Sequence, residues 1–441
     1  MSQVKPQVLK GFRDYLPEVM APREQMLNTV ATVFRSFGFA PLATPALEYA
    51  EVILGKYGAE GDKLLYRFRD NGDRDVALRY DLTVPLARVM GQHKHLLKPF
   101  RRYQIAPVWR AEKPGKGRFR EFSQCDVDIV GSSSLLADFE CMQVGVAVLK
   151  SLGVTKFVMR INDRRVLDGL MARLGVTTTD LKHEILRSID KLPKVGWDGV
   201  RDELATKIEF NASQLAAIRK FLNGDISALD DSVVDMEVAG PGIESLNTLL
   251  SWADELGIRS YFEVDLSIAR GLDYYTSTIY ETFLTELPEF GSVMSGGRYD
   301  GLLSLFSKDD MPAVGISLGV DRLLAGLQEL GVLPESEAAP QVFVTVFDNS
   351  MEAYSIRVAS VLRSYGLRVQ LHLQPGQKLG KQFKAAARSG ANAVVIAGPD
   401  EMASDCISLK RLSTGEQHDG VALESAAKVL STWLTDSDED T

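Results

Sequence analysis

Apolar spacing divides the chain into stretches of helical period and stretches of strand period. After Pro22, Met26, Val30, Val33, Phe34 and Phe37 fall on one helical stripe, and Gly38 stands where a helix C-cap is wanted, which predicts a long amphipathic helix. "FAPLATPALE" then reads as a short extended segment whose Pro41 and Pro45 suit an edge strand or an interface. Strand signals continue through "DVALRYDLTVPLAR" and through two runs that flank a Lys-Pro-Gly-Lys-Gly turn, up to about Val130. In the second run, parity sets Arg118, Arg120, Phe122, Gln124, Asp126 and Asp128 against Phe119, Glu121, Ser123, Cys125, Val127 and Ile129. The more charged side fits either a lined cavity or a solvated sheet face.

"KFVMRIND" is a further strand, and Asn162 or Asp163 can cap the helix "RRVLDGLMARLG". The pattern stays helical to about Gly257, and strand signals return in "SYFEVDLSIARGLDYYTSTIYETFL" before the amphipathic "VDRLLAGLQELG". A helical block, about 164–257, therefore interrupts an antiparallel sheet domain spanning 1–332. "VLPESEAAP" reads as a linker. Beyond it, over 341–430, strand and helix alternate as in a small α/β domain with a mainly parallel sheet. Residues 435–441 form an acidic tail.

Composition narrows the picture without reshaping it. The 441 residues are 45% hydrophobic and 25% charged, an ordinary globular balance with length for two or three domains. The net charge of -9 argues against indiscriminate coating of nucleic acid, while local basic patches remain open. Cys125, Cys141 and Cys406 are far apart and form no Cys-x-x-Cys pair, so neither a disulfide framework nor a cysteine zinc site is indicated. No apolar run reaches the ~20 residues that cross a bilayer, and the N-terminus lacks a signal-peptide core, so a cytoplasmic protein without membrane association is expected.

Candidate chemistry falls to arginines, carboxylates and tyrosines. There is no Gly-x-x-x-x-Gly-Lys-Ser/Thr loop and no His-Glu-x-x-His; His93 and His95 are two apart and suit a solvated loop. Arg110 in "VWRAE", Arg270 in "IARGLDYY" and Arg322 in "VGISLGVDRL" would each, alone, read as surface ion-pair residues. Their company changes that: Asp81, Gln124, Asp128, Tyr274 and Tyr275 also lie in apolar or glycine-rich strand surroundings, and so many polar groups on one sheet are costly to bury without partners or a polar ligand.

These stretches resemble the class II aminoacyl-tRNA synthetases, and the histidyl-tRNA synthetase family in particular, over nearly the whole length. "GFRDYLPEVMAPREQMLNTVATVFRSFGFAPLATPALE" is similar to the first class motif, "FRRYQIAPVWRAEKPGKGRFREF" to the second and "VGISLGVDRL" to the third; "ARGLDYYTSTIYE" and "SGGRYDGLL" resemble the two histidine-specific signatures. The resemblance implies an α+β fold, with an antiparallel-sheet catalytic domain carrying a helical insertion and a C-terminal α/β anticodon-binding domain. It implies a homodimer that activates L-histidine with ATP and Mg²⁺ and charges tRNA(His).

By resemblance, Arg110 and Arg270 are catalytic at the α-phosphate, Arg322 holds the γ-phosphate and Arg118 touches the triphosphate tail. Glu112 accepts from the adenine amino group, Phe122 stacks on the ring, and Asp321 is an outer contributor to Mg²⁺. Arginine suits phosphate because its planar fork binds two oxygens and stays charged. Asp81, Thr83 and Gln124 are carried over to the histidine ammonium, and Tyr275 and Asp128 to the two ring nitrogens with Tyr274 beside them. "SGGRYDGLL" sends two glycines and Arg298 towards the same centre. In the last domain Lys378, Lys381, Lys384 and Arg388 cluster near one helical face. "LRYDLT" and "QCDVDIVG" follow the eukaryotic-type form, which opens the question of an extra 5′ guanosine on the tRNA. A catalytically silent regulatory paralogue is disfavoured because the arginines and the C-terminal domain are present.

Overall fold

The stripe from Met26 to Phe34 is buried in one face of the helix Pro17–Ser36, against Tyr103 and against Cys125, Val127 and Ile129. Gly38, at φ +77°, ends that helix with the left-handed turn a Cβ would strain, and Phe39 N donates back to Phe34 O. The computed structural model describes residues 4–55, 61–115, 117–268, 275–307, 311–333 and 338–435. The chain divides into two compact units, Met1–Tyr15 with Arg23–Pro334, and Leu16–Pro22 with Glu335–Thr441.

The larger unit is built on an eight-stranded sheet. Its strands are β1 (Ala40–Pro41), β5 (Phe100–Trp109), β6 (Glu121–Val130), β7 (Phe157–Asp163), β8 (Phe262–Val264), β9 (Thr278–Leu284), β10 (Ser292–Arg298) and β11 (Ala313–Gly319). They run in the order β1-β5-β6-β11-β10-β9-β7-β8. Every neighbouring pair is antiparallel except β1–β5 and β7–β8 at the two edges, so Pro41 lies on an edge strand, where its missing N–H breaks no ladder. β2 (Leu47–Tyr49), β3 (Arg67–Arg69) and β4 (Asp75–Leu78) form a separate small antiparallel sheet. The helix Leu135–Ser151 packs on one face of β6, β10 and β11, so Cys125, Val127 and Ile129 enter the apolar core. The opposite parity of β6 is buried too, and it is polar.

Between β7 and β8 come the helices of the insertion, from Arg164–Arg173 to Met236–Glu255, the first capped by the Asp163 carboxylate through Arg165 N. The smaller unit carries β12 (Val342–Val344), β13 (Val369–Leu371), β14 (Ala393–Ile396), β15 (Cys406–Arg411) and β16 (Gln417–Ala422), in the order β13-β12-β14-β15-β16. Among the described residues no helix is long and apolar enough to cross a membrane.

Two expectations about elements are corrected. "DLTVPLAR" is not strand: Thr83–Gln92 is a helix with Val84, Leu86, Ala87, Val89 and Met90 buried, and Pro85 falls in its first turn, where no intrahelical N–H is lost. The smaller sheet is parallel only over β13-β12-β14; β15 and β16 extend it antiparallel. Parts of "VLPESEAAP" and nearly all of the acidic tail lie outside the described residues.

Candidate active site

The polar face of β6 is aligned by its neighbours. β5 sets Arg102 opposite Asp128 and Val108 opposite Phe122, while β11 sets Gly315 opposite Asp128 and Ser317 opposite Asp126. Above this face lie two adjoining recesses that share Arg110, Arg118, Gln124, Ser317 and Arg322.

The outer recess is cationic. The Arg110 guanidinium lies 4.3 Å from the Tyr80 ring centroid and 5.2 Å from that of Phe122, and its Nε donates to Tyr80 O at 3.1 Å. Glu112 and Arg118 pair at 2.9 Å, and Arg322 Nη1 donates to Ser292 O at 2.6 Å. Phe122 lines the same wall. Three guanidiniums held by backbone carbonyls, rings or a carboxylate give a fixed positive field for phosphate oxygens.

The inner recess is acidic. Asp81, Thr83, Gln124, Asp126, Asp128, Tyr275 and Glu281 line it. Asp81 Oδ1 accepts from Thr83 N at 3.2 Å and Val84 N at 3.0 Å, which caps the Thr83–Gln92 helix and fixes the carboxylate at the cavity wall. Fully buried Arg102 pairs with Asp128 at 2.6 Å and donates to Leu82 O at 3.1 Å; the Tyr299 hydroxyl donates to Asp128 as well. Burial pushes the Asp128 carboxyl above the usual carboxylate range, against the pull of Arg102 and Tyr299. For Asp126, burial outweighs Arg102 and raises the carboxyl to about 7. The Tyr275 hydroxyl is also pushed up, by burial first and then by Asp128 and Asp126.

Of the residues expected from sequence, Asp81, Thr83, Arg110, Glu112, Arg118, Phe122, Gln124, Asp128, Tyr275 and Arg322 therefore meet around one cavity. Arg270 and Tyr274 lie outside the described residues. Asp321 lines the outer recess, with one oxygen accepting from Arg13 and Tyr15 and the other from Ser123 N at 2.9 Å. One expectation fails. Arg298 turns away to the buried Asp138 and to Ser132 O and Ser134 O, tying β10 to the start of the helix Leu135–Ser151. Arg120 leaves its parity partners and donates to Glu112 O and Lys10 O.

Arg102, Tyr299 and Glu281 were missed. Counting back from the turn would have set Arg102 opposite Asp128, and Tyr299 stands within "SGGRYDGLL". Nothing local marks Glu281. Among the described residues no group of three or more His, Cys, Asp or Glu is arranged to hold a metal ion.

Comparison with known proteins gives a consistent answer. The family model described as "Histidyl-tRNA synthetase" matches residues 11–323, and that described as "Anticodon binding domain" matches 341–433. The chain is 45% identical to a histidine–tRNA ligase of Rhodopirellula baltica, covering 94% of this chain and 95% of that one. It is 39% identical to one of Helicobacter pylori (strain HPAG1), covering 99% and 100%. A crystal structure of histidyl-tRNA synthetase from Nostoc sp. PCC 7120 superposes with a TM-score of 0.85 at 34% identity, covering 98% of this chain and all of that one.

Proposed function

The chain belongs to the histidyl-tRNA synthetase family, and from that premise we propose how its two recesses divide the reaction. The activity is ATP-dependent ligation of L-histidine to tRNA(His): the histidine carboxylate oxygen bonds to the α-phosphorus of ATP and pyrophosphate leaves, then the 3′-terminal hydroxyl of the tRNA takes the histidyl group and AMP leaves. We assign the cationic recess to ATP and the acidic recess to histidine. The observation that carries this is their continuity at Arg110 and Gln124, which sets a fixed guanidinium where a carboxylate entering from one side meets a phosphate entering from the other.

Arg110 and Arg270 then stabilise the charge that builds on the α-phosphate, Arg322 holds the γ-phosphate and Arg118 the tail. Phe122 stacks on the adenine and Glu112 accepts from its amino group. Asp81, Thr83 and Gln124 receive the ammonium, while Asp128 and Tyr275, with Tyr274 beside them, take the two ring nitrogens. A pocket that hydrogen-bonds both edges of the ring rejects phenylalanine and leucine, because they strand buried polar groups. Mg²⁺ enters with the ATP phosphates, and no protein ligand is assigned to it.

The 1–332 part carries this chemistry and the 341–430 part reads the anticodon. Leu47, Tyr49 and Phe68 are exposed apolar side chains on the small β2-β4-β3 sheet, an apolar patch that supports a homodimer in which a second copy would cover it. A cytoplasmic setting follows from the proposed activity, since tRNA is charged where it serves protein synthesis. The test is histidine-dependent exchange of pyrophosphate into ATP. It is expected in the purified protein and to fall about 100-fold or more in Arg270→Ala. Exchange that does not depend on histidine, or a variant with full activity, refutes the reading.

A further inference from the structure

Gln124 and Asp126 stand on the same side of β6, are 8% and 2% exposed, and both line the acidic recess. Each presents a buried oxygen, Gln124 Oε1 and Asp126 Oδ1, that accepts no hydrogen bond among the described residues. Gln124 Nε2 donates to Ser317 Oγ at 2.7 Å, and Ser317 stands opposite Asp126 in the β6–β11 register. A buried acceptor left without a donor is destabilising. Two of them, on either side of one serine and opening into one cavity, mark the place of a ligand group with at least two N–H donors. The surroundings favour a cation at this end, since Asp81, Asp128 and Glu281 line the recess beside Asp126, while its arginines, Arg110, Arg118 and Arg322, are those shared with the outer recess. In histidine only the α-ammonium offers several donors and a full positive charge, whereas each ring nitrogen offers one at most.

We propose that Asp126 is a substrate-binding residue whose carboxylate, beside Gln124, accepts from the α-ammonium of histidine. The proposal rests on the histidine reading of the acidic recess. It gives the Gln124–Ser317 hydrogen bond a purpose: Ser317 fixes the amide so that Gln124 turns its oxygen, not its nitrogen, to the substrate. It also predicts a proton movement. Facing Asp126 are Asp128 on its own strand, Arg102 and Gln104 on β5, Ser317 on β11, Arg79 and Asp81 between β4 and the Thr83–Gln92 helix, and Tyr275 and Glu281 from the β9 side. Within this set burial holds the carboxyl near 7. An ammonium at hydrogen-bond distance favours the carboxylate, so the proton leaves as histidine binds.

Isothermal titration into the full-length protein at pH 7, in buffers of different ionisation enthalpy, reads that proton. Histidine is expected to release on the order of half a proton, as for a group titrating at about 7. Histidinol keeps the ammonium and is expected to match it; imidazolelactate carries a hydroxyl in its place and is expected to release none. Asp126→Asn preserves shape and is expected to abolish the release and to raise the histidine KM in exchange about tenfold, with the ATP KM unchanged. Equal release from histidine and imidazolelactate, or a wild-type histidine KM in the variant, overturns the role of Asp126. A wild-type protein that binds neither histidine nor histidinol overturns the histidine reading instead.

Discussion

Asp126 and Asp128 are the same side chain two residues apart on one strand face, and their surroundings make them different acids. Asp128 has Arg102 in direct contact and a hydroxyl from Tyr299, whereas Asp126 has a serine and meets the same arginine only at a distance. Its carboxyl titrates at about 7 in the fold, against an ordinary value of 3.8. The folded state thus holds the proton more tightly, so stability from this group is lost as pH rises from about 4 to about 7, at roughly 1.4 kcal/mol per pH unit, and is level above. Asp126→Asn removes that slope. Thermal unfolding of the ligand-free protein should therefore find the variant gaining on wild type between pH 5 and pH 8, and an equal difference in Tm at both would refute it. Parity along β6 placed Asp126 on the site side but supplied no role, because the role comes from Ser317, nearly two hundred residues away in sequence. Arg298 went wrong for the same reason: its partner Asp138 is buried at the start of a helix that strand alternation cannot see.

At the scale of elements, long periodic stretches were legible and short ones near proline were not. Met26 to Phe34 and "KFVMRIND" carry their period over several turns or residues, and both formed as expected. "DLTVPLAR" is short and β-branched, and tertiary burial of Val84, Leu86 and Met90 with a cap from Asp81 decides it in favour of helix. The glycines of the site belong to this scale, since they set how closely strands and rings approach. A Cβ at Gly315 would lie 2.1 Å from Asp128 Oδ1 and 2.7 Å from Val127 O; one at Gly296 would lie 2.2 Å from Gly315 O and 2.4 Å from the Tyr280 ring. The expectation that "SGGRYDGLL" brings backbone close to a ligand thus has a prior cause in the packing of β10 on β11. Gly315→Ala should destabilise by about 2 kcal/mol and raise the histidine KM, because Asp128 must move. Gly301→Ala, in "SGGRYDGLL" with nothing within 4 Å, should leave both unchanged, and denaturant midpoints with exchange kinetics compare the two. Similar losses in both variants would count against close packing as the cause.

For the whole molecule the governing fact is a net charge of -9 on a protein whose substrate is a polyanion. Such a chain repels RNA on average, so tRNA binding has to come from where its cations are placed. That distribution was legible in sequence: Lys381, Lys384 and Arg388 fall on the exposed side of the helix Leu379–Arg388, with Lys378 just before it, and the helix carries no acidic residue. Gln382 and Ala386 on the opposite side are buried, which fixes the basic face outward. Sequence could not say whether such a face meets phosphate or only water, because both leave the lysines exposed; salt dependence separates the two. Each phosphate that a lysine no longer neutralises makes the slope of log affinity against log salt shallower by about 0.7 for a single-stranded loop. If this face meets the tRNA, Lys381→Ala with Lys384→Ala should raise the KM for tRNA(His) and flatten its salt slope by about 1.4, while histidine-dependent pyrophosphate exchange, which involves no tRNA, stays at the wild-type rate. An unchanged slope would make the face a solvated one, and the attraction that overcomes the overall negative charge would then have to come from other cations of the chain.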